Sequence, residues 1–268
     1  MPWAELPAAD ESLTEICHII TDVARTSEGY YPRNYTMGYD KAKRLALWAA
    51  YPLHSCYTQG ISRERHWGYD PTLAPGEQMA GGVSAPYNRG HQVANADRRV
   101  SNLANDQISY YSNMTAQRSN FNSGVWAALE GRVRGWMCAD TLYVVTGAAF
   151  KSTKTIDNAN GPIAVPSHCW KVLLRQRGNQ NRQISQFKAD ELKAIGFVFT
   201  NDDAGAATSI ESAVRSVKEI EELMATMKEF AREGKSILFI SHKLNEIMSV
   251  ADRVTVLRKG KYIGTVNT

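Results

Sequence analysis

The chain predicts an α+β fold, a central, mostly antiparallel twisted sheet with helices on its faces, and three observations point that way. Residues 142–147, 170–174 and 194–199 are short apolar runs rich in β-branched and aromatic side chains, which is strand composition. Val125, Leu129, Val133 and Trp136 follow one another at four, four and three residues, a single apolar stripe on a helix that begins near residue 121 or 122. Ahead of that helix, Tyr87 and Val93 flank Gly90 in a stretch that reads as a strand end and a turn, with His91 at the strand edge. With 268 residues, 43% hydrophobic and 22% charged, the chain can bury an ordinary core as one domain or two, and a disordered polymer is excluded.

Taken in order, residues 13–24 carry Leu13, Ile16, Ile20 and Val23 at helical spacing and predict a helix. Residues 60–85 form a long loop of Gly, Pro and polar residues that should border any cleft beside His91. The stretch through Ile108, Tyr110, Tyr111 and Met114 reads as β-like or irregular, and a last helix is expected over residues 209–230.

The helix after residue 121 bears a second row at four-residue spacing: Asn122, Trp126, Glu130 and Arg134. Asn122 and Glu130 are separated by roughly 12 Å of rise at about 1.5 Å per residue, too far for both to bind one ion directly. The division that follows makes Asn122 an inner ligand. Glu130 then either reaches a metal-bound water or locks Arg134 by a four-residue pair. An amide oxygen is a hard donor, and Mg²⁺ keeps most of its waters while accepting few protein ligands. Phosphodiester hydrolysis needs a base, a cation to neutralise developing charge and relief for the departing oxygen. His91, a cation near Asn122, and Arg89 supply these. Singly, each has a plain reading as a cap, an exposed ion pair or packing. Their joint order and spacing argue for a site.

In that order the residues resemble the DNA/RNA non-specific endonuclease family, the ββα-metal (His-Me finger) group that includes endonuclease G. The family's Asp-Arg-Gly-His motif falls on Asn88, Arg89, Gly90 and His91. Its Asn-Met-x-Pro-Gln segment falls on Asn113, Met114, Thr115, Ala116 and Gln117, and its Asn-x-x-x-Trp-x-x-Leu-Glu helix on Asn122, Trp126, Leu129 and Glu130. The resemblance extends over about residues 28–217 and implies that His91, Arg89, Glu130, Arg134 and Asn113 serve catalysis while Asn122 holds Mg²⁺, with Mn²⁺ or another divalent ion as substitute. It further implies DNA and/or RNA as substrate, products with 5′ phosphates, and, as further partners, a second copy of the chain and an inhibitor protein. Histidine titrates near about 6.5, so an imidazole base is largely neutral at pH 7 to 8. The chain departs from the family at Asn88, usually Asp, at Ala116, commonly Pro, and at Pro52, Leu53 and His54, where many members carry a substrate-binding Arg. Asn accepts turn hydrogen bonds as Asp does, and the charge of the missing Arg falls to Arg89, Arg134 or another Arg.

The net charge of +4 is modest for a protein that grips a polyanion, so local patches must carry the binding. The pairs Arg63 and Arg65, Arg98 and Arg99, and Arg132 and Arg134 are the candidates. Cys17, Cys56, Cys138 and Cys169 show no C-x-x-C spacing, which argues against a zinc or thioredoxin-like site; Cys138 and Cys169 open strands and can pair if those strands are neighbours. No apolar run is long enough for a membrane span, and the first residues lack the basic and apolar regions of a secretory leader. Because an unspecific nuclease would attack its own chromosomes, the natural protein is expected to be secreted or periplasmic, with its leader absent from this chain, or else held inactive by a partner.

Residues 223–268 resemble something different, the C-terminal part of an ATP-binding cassette ATPase of the sugar-importer kind: a strand at 235–240, a switch histidine at His242, a helix, and a hairpin around Gly260. No G-x-x-x-x-G-K-[ST] phosphate cradle exists in the chain. The expected organisation is therefore a nuclease domain at 1–217 and a fused strand-helix-hairpin fragment at 218–268, not an ATPase by itself, with the seam inside residues 218–223. Two competing classes follow: a catalytically weak nuclease fold that serves as a nucleic-acid-binding module, and an ATP-binding subunit.

Overall fold

The computed structural model describes residues 6–62, 66–137, 141–151, 153–178, 186–224, 253–258 and 261–267. Among them a seven-stranded sheet runs in the order β1 (Thr14–Ile19), β2 (Arg33–Asp40), β3 (Leu45–Leu53), β6 (Leu142–Ala149), β9 (His168–Gln176), β10 (Leu192–Thr200) and β11 (Val214–Arg215), and every neighbouring pair is antiparallel. The three strands read from composition are thus β6, β9 and β10, adjacent at the centre. Smaller ladders pair β4 (Tyr87–His91) with β5 (Met114–Arg118), and β7 (Thr155–Ile156) with β8 (Ile163–Ala164).

Alternation of side chains sends each central strand to two cores. Tyr51, Leu53, Val144, Cys169, Leu173, Phe197 and Phe199 face the finger helix, which returns Phe121, Trp126, Leu129 and Val133. The opposite face gathers Trp48, Ala50, Trp170 and Ile220. Ile220 comes from the helix Val217–Met224 and lies so close over Gly196 that a Cβ there would sit 2.2 Å from its Cδ1. The expected seam therefore falls within a helix that completes the nuclease core.

Two expectations are corrected, and a third in part. Residues 13–24 do not form a helix. Ile16, His18 and Ile20 are buried and alternate with exposed Glu15, Cys17 and Ile19, and this period of two seats β1 against β2. The helix expected over 209–230 is confined, among the described residues, to Val217–Met224, because Val214 and Arg215 pair with β10 instead. The stretch 108–114, read as β-like or irregular, is so from Tyr110, which bridges Gly68, to Met114, which opens β5; only Ile108 departs, ending the helix Asn102–Ile108, capped by Ser101 Oγ accepting from Ala104 N at 3.2 Å. Its polar sequence, Asn-Leu-Ala-Asn-Asp-Gln-Ile, hides it from a search for apolar stripes.

Of the tail, β12 (Arg253–Arg258) and β13 (Lys261–Asn267) form an antiparallel hairpin of their own, as the reading around Gly260 expects. The expected strand at 235–240 and His242 lie outside the described residues. No helix among the described residues is long and apolar enough to cross a membrane. Cys17, Cys56 and Cys169 carry free thiols, so the pairing of Cys169 with Cys138 is not formed, and Cys138 itself lies outside the described residues.

Candidate active site

The finger is assembled by local hydrogen bonds. The register of β4 on β5 places Tyr87 opposite Arg118 and His91 opposite Met114. The chain then turns directly into a helix whose first residue, Ser119, donates from N to Pro86 O at 2.9 Å and from Oγ to Asn88 Oδ1 at 3.2 Å. Asn88 thus ties the first strand to the start of the helix with a neutral amide where the family's carboxylate would stand. Gly90 is required by contact: a Cβ there would lie 2.1 Å from Oε1 of Gln117, whose side chain crosses it to donate to Cys169 Sγ at 3.5 Å. Burial pushes that thiol up to about 12, so it stays a neutral packing group.

Arg89 and His91, two apart on β4, share one neighbour. The indole of Trp67, from the long loop, takes the Arg89 guanidinium over its face at 4.0 Å and lies 5.4 Å from the His91 ring. Arg89 also donates to Gly81 O at 3.3 Å in the same loop. The expectation that residues 60–85 border the site is thereby met, and Trp67 is a site residue that sequence reasoning missed; its signal was a lone indole in a polar loop. The loop is tied down by Asp70, bonded by His18 and Ser112, and by Asn160 Nδ2, which donates to Pro75 O at 2.6 Å and Gln78 O at 3.1 Å.

Asn113, read as catalytic, is completely buried. Its Oδ1 accepts from Val93 N at 2.9 Å, and its Nδ2 donates to Val93 O at 3.1 Å and to Ile108 O at 2.9 Å. All of this binds backbone, so Asn113 clamps the turn that follows His91 and has no surface with which to meet a substrate. Asn122, half-buried, stands at the start of a π-helical turn, Asn122–Trp126, in which Gly124 leaves helical geometry (φ −96°, ψ −111°). Such π-turns are frequent at functional sites because they rotate the residues before them relative to those after.

Beyond the π-turn, Ala127–Gly135 carries Glu130 and Arg134. Arg134 Nη1 donates to Asp97 Oδ1 at 2.9 Å, and Tyr51 Oη donates to Asp97 Oδ2 at 2.8 Å. Half-burial opposes the charge of Arg134, but the Asp97 carboxylate, with Glu130 adding to it, outweighs burial and holds the guanidinium above its ordinary value. Asp97 directly precedes Arg98 and Arg99 and carries no local sign in the sequence of the partners it meets. That doublet is corrected: Arg98 is fully buried, donating to Asn34 O, Asp97 O and Pro52 O, and Arg99 Nε donates to Ile61 O at 2.9 Å. Arg132 is exposed and pairs with Glu211, while Arg63 and Arg65 lie outside the described residues.

A strand-strand-helix finger with these groups, mounted on an antiparallel sheet, is the architecture of a ββα-metal nuclease. The chain belongs to the DNA/RNA non-specific endonuclease family, whose sequence model matches residues 19–234 and so runs past the expected seam at 218–223. It is 31% identical to a nuclease of Serratia marcescens over 150 residues, 52% of this chain and 55% of that protein. It is 25% identical to the human mitochondrial nuclease EXOG over 206 residues, 71% of this chain and 54% of that one. The chain thus spans about half the length of these curated relatives. Its fold is similar to a chain in the crystal structure of the EndoG/EndoGI complex, with a TM-score of 0.57 at 22% identity, covering 70% of this chain and 80% of that one. Separately, 55 residues, 20% of this chain, are 58% identical to the nucleoside import ATP-binding protein NupA of Lactococcus lactis, of which they cover 11%.

Proposed function

We propose that the chain is a metal-dependent, largely sequence-non-specific endonuclease that hydrolyses phosphodiester bonds of DNA and/or RNA and leaves 5′ phosphates. The observation that supports this most is the finger itself, in which two paired strands and the helix that follows them carry Arg89, His91, Asn122 and Glu130 in the family's order. His91 acts as the general base, taking a proton from the water that attacks phosphorus in line. Arg89, braced by Trp67, meets the charge that grows on the phosphate oxygens. Asn113 keeps the turn after His91 in place.

The donor set suits a hard, well-hydrated cation. No group of three or more His, Cys, Asp or Glu among the described residues can hold a metal, so the zinc type of site is not offered. An amide oxygen from Asn122, with the Glu130 carboxylate reaching bound water, is the sparse set that Mg²⁺ accepts, and Mn²⁺ can replace it. When bound, the cation neutralises phosphate charge and eases departure of the 3′ oxygen. Arg134, tied to Asp97, adds positive charge behind Glu130 without touching substrate.

Plasmid nicking tests the proposal. Cleavage with Mg²⁺ that EDTA stops, and that falls by about 100-fold or more in His91→Ala, is the expected result for loss of a general base. Undiminished cleavage in His91→Ala sinks it. A second reading, a weak nuclease fold that binds nucleic acid without cutting, draws on Asn88 and on Pro52, Leu53 and His54, which supply no arginine after Tyr51; retention of DNA by the wild type without any nicking would favour it. We read the residues beyond the helix Val217–Met224 as a joined segment that binds no nucleotide, which titration with a fluorescent ATP analogue checks. Export from the cell, a homodimer and an inhibitor protein complete the proposal.

A further inference from the structure

Lys171 stands on β9 between Cys169 and Leu173, on the sheet face that the finger helix covers, and is 1% exposed. Its Nζ lies 5.0 Å from the centroid of the Trp126 ring and has no hydrogen-bond partner among the described residues. An ammonium taken out of water without hydrogen bonds is unfavourable, and an apolar side chain of the same length would avoid that cost. Two effects offset part of it. The face of an indole attracts a cation, and Glu130 and Asp97 attract the ammonium while Arg134 repels it. Burial lowers the pKa of Lys171, and those two carboxylates work to restore it.

Asp97 and Glu130 act on both Lys171 and Arg134, and Asp97 acts also on the buried Arg98. Arg134 Nη1 donates to Asp97 Oδ1 at 2.9 Å, and Glu130 acts on the same guanidinium. Asp97 in turn is held by Tyr51 from β3. Trp126 stands four residues after Asn122 and four before Glu130, so the ammonium beneath its ring acts on the stretch of helix that carries both.

We propose that Lys171 is a positioning residue of the hydrolytic site: buried and seated against Trp126, its ammonium fixes the stretch of finger helix that carries Asn122 and Glu130. It touches neither substrate nor cation. The inference rests on the reading of Asn122 and Glu130 given under Proposed function.

Lys171→Met keeps the length and removes the charge. In the whole chain it is expected to lower kcat on plasmid DNA by about 10-fold or more with KM within about threefold, the range seen when a supporting partner of a metal site is lost. Mn²⁺ binding, followed by electron paramagnetic resonance without substrate, should weaken by about threefold or more. The thermal midpoint should hold or rise, because an unsatisfied buried charge has gone. Wild-type kcat together with wild-type Mn²⁺ binding overturns the inference. So does a loss of kcat that comes with a falling midpoint and unchanged Mn²⁺ binding, which is what a merely structural lysine would give. Should Lys171→Met fail to fold, Lys171→Arg decides: kcat within about threefold of wild type supports a role for the charge, and a loss of about 10-fold or more refutes it. His91→Ala in the same assay separates the two levels. If it still cleaves, the reading of the site fails; if it is dead while Lys171→Met cleaves normally, only the inference fails.

Discussion

Two largely buried charged clusters brace the finger, and they are completed to different degrees. Asp70, in the long loop, has its Oδ2 bonded by His18 Nε2 at 2.9 Å and Ser112 Oγ at 2.6 Å, and its Oδ1 by Thr72 N at 2.9 Å and Thr72 Oγ1 at 2.6 Å. Its own N–H donates to Gln78 Oε1 at 2.8 Å. Every lone pair that burial strips of water is answered, and the loop that bears Trp67 is fastened to β1 and to the segment before β5. In the cluster of Asp97, Glu130, Arg134 and Lys171 the acids draw on more than one cation, yet the Lys171 ammonium makes no hydrogen bond among the described residues. A satisfied buried network stabilises and specifies a fold, whereas an incompletely satisfied one is a net cost that a folded chain tolerates where it serves the site.

The contrast breaks most readily at Asp70. Asp70→Ala leaves His18 buried without its partner and should lower unfolding free energy in urea by about 3–5 kcal/mol, opposite in sign to the effect expected of Lys171→Met. A loss below about 1 kcal/mol would show that the two clusters do not differ.

Acid gives the next largest effect. Burial works to raise the Asp70 carboxyl, but hydrogen bonds from His18, Ser112 and Thr72, with the charge of His18, outweigh it and hold the group down to about 2, against an ordinary value of 3.8. Its contribution is therefore fully present above about pH 4 and is lost as pH falls toward about 2, amounting to about 2 kcal/mol. Urea unfolding from pH 5 to pH 2.5 should show this slope in the wild type and a flatter profile in Asp70→Asn. Parallel profiles would assign the acid sensitivity elsewhere.

Tyr51→Phe sharpens the comparison from the other cluster. It removes the second donor to Asp97 and should cost about 1 kcal/mol in urea unfolding. A neutral result would mean that Arg134 alone fixes Asp97. Smallest of all, Arg132→Ala breaks an exposed pair with Glu211 and should leave the melting temperature within about 1 °C of wild type. A larger drop would show that surface charge on this helix matters as much as the buried set.

Much of the finger was legible because its signals are local. Tyr87, Gly90 and His91 mark a strand and its end, and the stripe of Val125, Leu129 and Val133 marks the helix within one residue span. The central strands β6, β9 and β10 announce themselves by composition. β1 was misread because Leu13, Ile16, Ile20 and Val23 satisfy helical spacing while Ile16, His18 and Ile20 satisfy strand spacing. Only the partner strand β2 chooses between them. The same limit hid the charge clusters: Arg98 and Arg99 looked like a surface patch, and neither Asp97 nor Lys171 carries a local sign of what it will face.

Residue order by itself determined which chemical groups the finger carries and in what sequence, since strand and helix periods are properties of a few consecutive residues. Tertiary structure alone decided which charges are withdrawn from water and against whom. Burial and Coulomb interaction depend on distances across the sheet, from Lys171 on β9 to Trp126 on the helix and from Asp97 to Tyr51 on β3, and those distances are set by strand register and helix docking, not by separation along the chain.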